Sequence, residues 1–488
     1  MPTASNANPI SELDKAGRRR GAALLLEVLR SEGVRYVFGN PGTTELPFID
    51  ALVDFPDIRY IWALQEASVV AMADGYAQAS RRTGFVNLHT AGGLGHGFGS
   101  LWNARVSGTP LVVTAGQQDS RHALTDPLLF GELVGMATPI VKWAKEVTHA
   151  SQIPVLIRRA FHDSNTSPTG PIFVSLPMDI MEEMTDASAL EVSTIDRSSV
   201  AGSLDSLAEH LAAIPPGKLA IVAGDEISAA CASSEMIKLA EALGAPVYGS
   251  SWPAHLPFPT SHPQWAGNLP TSAREIAKIL GNYDAVFGLG GKSLITILYT
   301  EGSAVPSECQ VFQLSADAHN LGRTYPAKLA VAGDIKASLR VLLPLLRERL
   351  AVRASAYAEL REAARIVQSS RRAHLAASAE AEVGAPVTTP LLAAREIARA
   401  VGPRIAIVDE APATAVHLRS FLNSSSPRQY SFSRGGALGW GMPAAIGFSL
   451  GLDRGPVVAI IGRCGSLFTS SDLDHRLRKV VSNLRCDQ

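Results

Sequence analysis

An apolar run that ends in a dense cluster of glycines constrains the fold of this chain most. Phe85–His89 is rich in strand-forming residues, and five of the eight residues from Gly92 to Gly99 are glycine. Glycine lets a backbone turn tightly and approach a bound group closely, so a glycine turn is predicted here. Open α/β sheets bind ligands outside the carboxyl ends of their strands. We therefore expect His89 to lie at a binding site.

A carboxylate follows a second apolar run of the same kind. Glu66 follows the segment Ile58–Leu64, with Gln65 between them, and opens a helical stretch of small residues, Ala67–Ala79. A carboxylate and an imidazole at the ends of neighbouring strands suit proton transfer. Two structural alternatives stay open at this point. Glu66 could serve only to stabilise a helix N-terminus, and His89 could be a buried structural histidine.

Two nucleotide-binding motifs are excluded. A dinucleotide fingerprint needs an acidic residue at the end of the next strand, whereas Leu111–Thr114 leads into Ala-Gly-Gln-Gln. Gly290–Ser293 resembles the end of a P-loop, but Val286 occupies the position that this motif reserves for its first glycine.

Composition indicates a globular protein of two to four domains. The chain has 488 residues, of which 46% are hydrophobic and 18% charged, with a net charge of −1. This balance points to neither a nucleic-acid nor a membrane partner. The four cysteines are widely spaced and show the pattern of neither a metal site nor a disulfide framework: they are Cys231, Cys309, Cys464 and Cys486. We therefore expect a cytoplasmic protein.

Strand-like runs alternate with helical stretches along most of the chain, which predicts an α/β fold of doubly wound parallel sheets. The alternation divides into three domains. In the third domain the pattern stops after Ser466, which leaves too few elements to cover both faces of a sheet. The predicted divisions are a disordered lead (1–16), a first domain (17–185), a central Rossmann-like domain (206–350), a linker (351–388) and a partial third domain (389–488).

Several multi-residue motifs, in matching order, resemble the thiamine-diphosphate-dependent 2-oxo acid decarboxylase and acetolactate synthase superfamily, most closely its benzoylformate decarboxylase branch. The resemblance extends from about residue 20 to 462. It implies a pyrimidine-binding, a central and a diphosphate-binding domain, with cofactor sites shared between the subunits of a homodimer or a dimer of dimers. The similar segments are Phe38–Glu45, Ala63–Ala67, Ala73–Ala79, Asn87–His89, Leu111–Gln118, Gly436–Gly447 and Val458–Gly462.

The resemblance assigns roles to individual residues. Glu66 would hydrogen-bond the cofactor's aminopyrimidine ring, and Leu438 would support the bent cofactor from below. His89 would handle protons on the substrate, and Thr43 would bind the substrate carboxylate. The remaining cofactor-binding positions implied by the matching motifs are Asn40, Pro41, Gly42, Gly436 and Gly462.

Two departures from the family pattern bear on activity. The stretch Leu294–Tyr299 offers Ile297 where the benzoylformate decarboxylase branch has a second active-site histidine. Gly462 is followed by Arg463 and Cys464, so the aspartate and asparagine that would hold Mg²⁺ on the diphosphate are absent. We therefore expect no protein ligands for the metal, and we expect truncation or a frameshift after Gly462.

The resemblance implies a carbon–carbon lyase that decarboxylates a small 2-oxo acid, with thiamine diphosphate and Mg²⁺ as cofactors and without FAD. The altered metal site predicts impaired activity. Two alternatives remain. The first is a carboligase of the acetolactate synthase or benzaldehyde lyase type. The second is a non-catalytic remnant that pairs with an intact relative.

Overall fold

The structure is a computed structural model that describes residues 17–424, 426 and 429–462. Two compact units make up the chain. One contains the residues up to Thr194 together with those from Gly435 onward, and the other is Ile195–Arg434. The predicted third domain, 389–488, is therefore divided between the units, and its bounds stay a prediction.

The first part of the chain, up to Thr194, forms a six-stranded parallel sheet in the order β3-β2-β4-β5-β7-β6 and a small antiparallel pair, β1-β8. The strands are β1 (Arg19–Arg20), β2 (Tyr36–Gly39), β3 (Arg59–Trp62), β4 (Gly84–His89), β5 (Leu111–Gln117), β6 (Ala144–Glu146), β7 (Ile172–Pro177) and β8 (Met184–Thr185). The helices are α1 (Gly21–Ser31), α2 (Leu46–Ala51), α3 (Glu66–Ser80), α4 (Thr90–Ser107), α5 (Leu133–Ala137), α6 (Ile153–Ser164) and α7 (Met178–Glu182).

Both faces of this sheet are buried. Successive strand residues enter different apolar clusters: Val112 belongs to the cluster that contains residues of α1 and α6, and Val113 to the one that contains residues of α3 and α4. A strand covered on both faces reads as a continuous apolar run, which is why β4, β5 and β7 are visible in the sequence.

Ile195–Arg434 contains a second parallel sheet, in the order β11-β10-β9-β12-β13-β14, and a separate parallel strand pair, β15-β16. Its strands are β9 (Leu219–Ala223), β10 (Val247–Gly249), β11 (Trp265–Asn268), β12 (Ala285–Leu289), β13 (Gln310–Ser315), β14 (Leu329–Ala332), β15 (Ala406–Glu410) and β16 (Tyr430–Phe432). Its helices are α8 (Leu204–Ala213), α9 (Glu226–Ala229), α10 (Ser233–Leu243), α11 (Ala273–Leu280), α12 (Ile335–Leu350), α13 (Ala354–Glu380), α14 (Pro390–Val401) and α15 (Pro412–Phe421).

From Gly435 onward, the described chain contains helix α16 (Gly441–Gly451) and strand β17 (Val457–Ile461). Helix α16 packs on α3 at glycine contacts: a Cβ atom on Gly75 would lie 2.1 Å from the Ala444 carbonyl oxygen. The backbones of the two helices therefore touch. No helix in the described part of the chain combines the length and apolarity needed to cross a membrane.

The α/β class and its parallel sheets are confirmed, but the predicted glycine turn after β4 is wrong. Helix α4 begins at Thr90, directly after His89, and includes all the glycines of the cluster. Tertiary packing outweighs the low helix propensity of glycine here. A Cβ atom on Gly97 would lie 3.2 Å from Val70, and one on Gly99 would lie 3.2 Å from Ala437.

Candidate active site

Glu66 begins helix α3 at the carboxyl edge of the first sheet and is buried, with 8% of its surface exposed. The side chain of Gln65 caps the helix by accepting a hydrogen bond from the Ala67 amide at 2.7 Å. Because Gln65 performs the capping, the Glu66 carboxylate is directed to other groups. Asn40 Nδ2 donates to Glu66 Oε1 at 3.0 Å, and His96 Nδ1 lies 3.1 Å from Oε2.

Helix α4 packs closely on Glu66, and the lack of a side chain at Gly93 leaves room for the carboxylate. A Cβ atom on Gly93 would lie 3.3 Å from Glu66 Cγ and 3.4 Å from Oε1, which is tighter than ordinary contact. An alanine at this position would press on the side chain. The glycine therefore allows helix backbone to approach a functional carboxylate, which is a use of glycine that the sequence pattern did not reveal.

His89 ends β4 and contacts a second buried carboxylate. Its Nδ1 atom lies 2.8 Å from Glu45 Oε2 and 3.2 Å from Thr44 Oγ1. Glu45 is 2% exposed and also accepts hydrogen bonds from the Gly42 amide and the Thr44 hydroxyl, both at 2.7 Å. A buried carboxylate needs such partners, so Glu45 is fixed in place.

The pKa of His89 is raised from its ordinary value of 6.5, mainly by the hydrogen bond to Glu45. Burial opposes this effect, whereas the charges of Glu45 and Glu66 add to it. The imidazole side chain is 24% exposed. Its Nε2 atom has no hydrogen-bond partner among the described residues, so this nitrogen can exchange protons with a bound molecule.

Two glycines make the His89–Glu45 contact possible. A Cβ atom on Gly42 would lie 2.4 Å from the imidazole ring, and one on Gly116 would lie 1.9 Å from Glu45 Oε1. Gly116 pairs directly with His89 across β4 and β5. Neither position has room for a larger residue unless the pair moves apart.

The sequence-predicted residues lie in three places. Asn40 and Glu66 are hydrogen-bonded, and Gly42 contacts the ring of His89. Pro41 and Thr43 are exposed beside them. Gly462 directly follows β17, whereas Arg463 and Cys464 lie outside the described residues. Within the described part of the chain, no three His, Cys, Asp or Glu side chains are grouped as a metal site requires.

The segment that carries Gly436 and Leu438 is attached to α4. Asn103 Nδ2 donates to the Ala437 carbonyl at 2.9 Å, and the Ala437 amide donates to Asn103 Oδ1 at 3.1 Å. Gly436 has a φ of +77°, a conformation that favours glycine. Leu438 is 46% exposed. This pair of hydrogen bonds holds an apolar side chain outward at a defined position.

Sequence reasoning did not assign Thr44, Glu45 or His96 to the site. The available signal for Glu45 was its position in Phe38–Glu45, six residues after β2 ends, where a buried acid in a short 3₁₀ helix reaches the neighbouring strand end. His96 lies two turns into α4, and only the helical conformation brings it to Glu66.

Comparison with known proteins shows the family to which the chain belongs. Three family models match the chain: the thiamine pyrophosphate enzyme N-terminal TPP-binding domain at residues 19–136, the central domain at 204–342 and the C-terminal TPP-binding domain at 413–483. Benzoylformate decarboxylase of Pseudomonas aeruginosa is 33% identical over 443 residues, which cover 89% of this chain and 79% of that protein. The acetolactate synthase large subunit of Haemophilus influenzae is 26% identical over 451 residues, covering 91% and 77%.

Solved structures agree with these relatives. A benzoylformate decarboxylase from Polynucleobacter necessarius superposes with a TM-score of 0.80 at 28% identity, covering 93% of this chain and 82% of that one. A thiamine diphosphate-dependent 4-hydroxybenzoylformate decarboxylase from Rhodococcus jostii gives a TM-score of 0.79 at 26% identity, with the same coverage. The chain belongs to the thiamine pyrophosphate enzyme family and is related to both the benzoylformate decarboxylases and the acetolactate synthases.

Proposed function

We propose that this enzyme decarboxylates a small 2-oxo acid without oxidation, releasing carbon dioxide and an aldehyde. The names of the relatives support this reaction class, since two of them are decarboxylases of benzoylformate and one of 4-hydroxybenzoylformate. The observation that carries the proposal within this chain is the His89–Glu45 pair, with Nδ1 and Oε2 2.8 Å apart.

The residues at the carboxyl edge fit thiamine diphosphate. Glu66 is a buried carboxylate with room beside Gly93, and Asn40 orients it at 3.0 Å. In the proposed site, Glu66 holds the aminopyrimidine ring and Leu438 supports the cofactor from an exposed position. When bound, the cofactor supplies an electron sink for the electron pair that remains when carbon dioxide departs.

Pro41, Gly42, Gly436 and Gly462 complete the proposed cofactor-binding set. The exposed hydroxyl of Thr43 binds the substrate carboxylate, next to the residues that orient His89. A hydroxyl that donates to a carboxylate positions the acid without neutralising its charge.

His89 supplies the proton that decarboxylation requires. The carbon atom that loses carbon dioxide must gain a proton before an aldehyde can leave. Glu45 accepts from Nδ1, which leaves Nε2 of the imidazolium as the transferable proton. Because Glu45 raises the pKa of His89, more of the imidazole is protonated near neutral pH than in a free histidine.

The proposed active enzyme is a homodimer or a dimer of dimers with its site at the subunit interface. Large apolar side chains are exposed at the carboxyl edge, where Trp62 is 66% and Leu64 is 62% exposed. Exposed apolar groups next to a functional site are typical of a protein interface. Mass photometry of the purified chain tests this assignment.

Arg463 and Cys464 provide no carboxylate or amide oxygen for Mg²⁺ where the family pattern has its aspartate. We therefore expect weak diphosphate binding and reduced turnover at a given cofactor concentration. Titration with thiamine diphosphate, with and without Mg²⁺, measures the dissociation constant. Tight binding that depends strongly on Mg²⁺ would contradict this expectation.

Replacing the proton donor tests the reaction class. His89→Ala should slow aldehyde release from a 2-oxo acid by about 10² or more, the usual contribution of a positioned acid. Its effect on the dissociation constant of thiamine diphosphate should be small. A variant that releases aldehyde at the unaltered rate would refute the role of His89.

Carboligation is the second candidate, favoured by Ile297. This side chain is 50% exposed and replaces the second histidine expected for the benzoylformate decarboxylase branch. Isoleucine cannot donate a proton, so this replacement removes one proton donor that would compete with carbon–carbon bond formation. Product analysis separates the reactions: an aldehyde supports decarboxylation, and a 2-hydroxy ketone or 2-hydroxy acid supports carboligation.

A further inference from the structure

An arginine-rich cleft lies at the opposite edge of the first sheet from Glu66 and His89. The cleft has a volume of about 670 Å³, within the range of roughly 300–1,000 Å³ that is usual for small-molecule sites. It lies beside the first residues of β2 and β3 and the last turns of α1, α3 and α16. Five arginines line it: Arg30, Arg35, Arg59, Arg82 and Arg454.

The cleft is positively charged, although the whole chain carries a net charge of only −1. Its acidic lining residues are Asp57 and Asp453. Three helices end here, and each contributes about half a negative charge through its last carbonyl groups. Five guanidinium groups outweigh the two carboxylates and the three helix ends together.

Neutralising the helix ends is the simplest explanation for some of these arginines, since Arg30 lies in the last turn of α1. It does not explain Arg59, which is the first residue of strand β3. The side chains of Arg59 and Arg454 have no hydrogen-bond or ion-pair partner among the described residues. Two cations with no internal partner face the same concave surface.

The other three guanidinium groups are only lightly engaged. The Arg30 guanidinium stacks on Phe55, with its carbon 4.9 Å from the ring centroid, and this leaves its N–H edge available. Arg35 lies 3.7 Å from Asp453, and the two side chains are 56% and 92% exposed. Arg82 makes a long hydrogen bond of 3.4 Å to the Gly33 carbonyl.

Two of these arginines also act on Tyr76, a buried residue of α3. Burial raises the pKa of its hydroxyl, and the charges of Arg82 and Arg35 act in the opposite direction. The arginines give the cleft a positive potential. An anion bound in the cleft would meet this potential directly.

We propose that this cleft is a second ligand site, which binds a small molecule carrying at least two linked phosphate groups. Guanidinium groups bind phosphate oxygens through paired N–H donors. Five arginines thus match a polyphosphate better than a single phosphate or sulfate. The concave shape favours a small ligand over a flat membrane surface.

The site is separate from the proposed cofactor site. Helix α3 runs from Glu66 at the carboxyl edge to Ser80 near the cleft, a length of roughly 22 Å at 1.5 Å per residue. The phosphate source, whether a free polyphosphate or a nucleoside triphosphate, is distinguished by the experiment.

Calorimetric titration of the full chain with inorganic tripolyphosphate and with ATP, at constant ionic strength, tests the proposal. We expect saturable binding of tripolyphosphate that is much tighter than that of sulfate. Stronger binding of ATP would identify a nucleotide as the ligand, and equal binding would identify the polyphosphate chain alone.

Arg59→Ala combined with Arg454→Ala should weaken tripolyphosphate binding about tenfold or more, as expected for lost charged hydrogen bonds. The matched control is Arg197→Ala, which removes an exposed arginine of the other unit and should change nothing. Arg59→Lys with Arg454→Lys should give an intermediate affinity, because it keeps the charge but loses the paired donors. Circular dichroism checks that each variant is folded.

Three results would overturn the proposal. They are binding no tighter than that of sulfate, equal affinity in the double alanine variant, and binding to anionic vesicles without binding to tripolyphosphate. The last result would assign the patch to a membrane surface.

Discussion

Gly75→Ala should destabilise the unit that holds the proposed cofactor residues, because α3 and α16 cross at glycine. A Cβ atom on Gly75 would lie 2.1 Å from the carbonyl oxygen and 2.8 Å from the carbonyl carbon of Ala444. Both are backbone atoms, so no side chain can rotate away. Ordinary contact requires about 3.4 Å or more, so the helices must separate by about 1 Å. That movement also strains the hydrogen bond from Trp440 Nε1 to Asp74 Oδ2, which measures 2.7 Å.

The expected size of the effect follows from two opposing contributions. Alanine gains about 0.5–1 kcal/mol over glycine inside a helix. Overpacking of a closely packed core typically costs about 1–3 kcal/mol, and the rigid backbone contact places Gly75 at the upper end. We therefore predict a net loss of about 2–2.5 kcal/mol, equivalent to about 4–10 °C in melting temperature for a large domain.

Gly95→Ala is the matched control, since it is also a helical glycine of the same unit. The nearest atom to a Cβ there is Met136 Cε at 4.0 Å. This variant should be neutral or stabilised by about 0.5–1 kcal/mol. Chemical denaturation, followed by tryptophan fluorescence, compares the two. Equal stability of Gly75→Ala and Gly95→Ala would refute the close crossing of α3 and α16.

Three further variants test the electrostatics of the chain. Glu45→Gln should lower the pKa of His89 towards 6.5. Because protonated His89 is the active form, the alkaline limb of the pH–rate profile should then move to lower pH. An unmoved limb would contradict the pairing of Glu45 with His89. Gly116→Ala should produce the same displacement, since its Cβ would lie 1.9 Å from Glu45 Oε1; a wild-type profile would show that Glu45 does not orient His89. Burial raises the pKa of Asp409 from 3.8 to about 6, so the folded protein favours the protonated carboxyl group. The stabilisation that this preference gives should be lost as pH rises through this range. The free energy of unfolding should thus fall by up to about 3 kcal/mol, and Asp409→Asn should flatten this fall in urea titrations at pH 4 and pH 7.

The sequence predicts the α/β class because β4, β5 and β7 are buried on both faces and therefore continuously apolar. It also places Glu66 at the start of a helix, because the apolar run before this residue ends at the edge of the sheet. The edge strand β11, Trp265–Asn268, was not predicted, because it has only four residues and ends in glycine and asparagine, which are depleted in strands.

The site was harder to predict than the fold. Glycines 92 to 99 indicate a turn when only local preference is considered, whereas close packing against Glu66 and Val70 makes this segment a helix. The contact between Glu45 and His89 depends on the register of β2, β4 and β5, which no local pattern reports. Position in a strand can be predicted from hydrophobicity, but contacts between strand ends require the three-dimensional pairing.

The central claim is that Glu66 serves thiamine diphosphate chemistry on a 2-oxo acid. Aldehyde release from a panel of 2-oxo acids that includes benzoylformate, measured with and without thiamine diphosphate for the wild type and Glu66→Gln, tests it most directly. We predict cofactor-dependent release that falls by about 10² or more in Glu66→Gln, with an unchanged melting temperature in the absence of cofactor. Release that does not depend on thiamine diphosphate, or a Glu66→Gln variant as active as the wild type, would contradict the account.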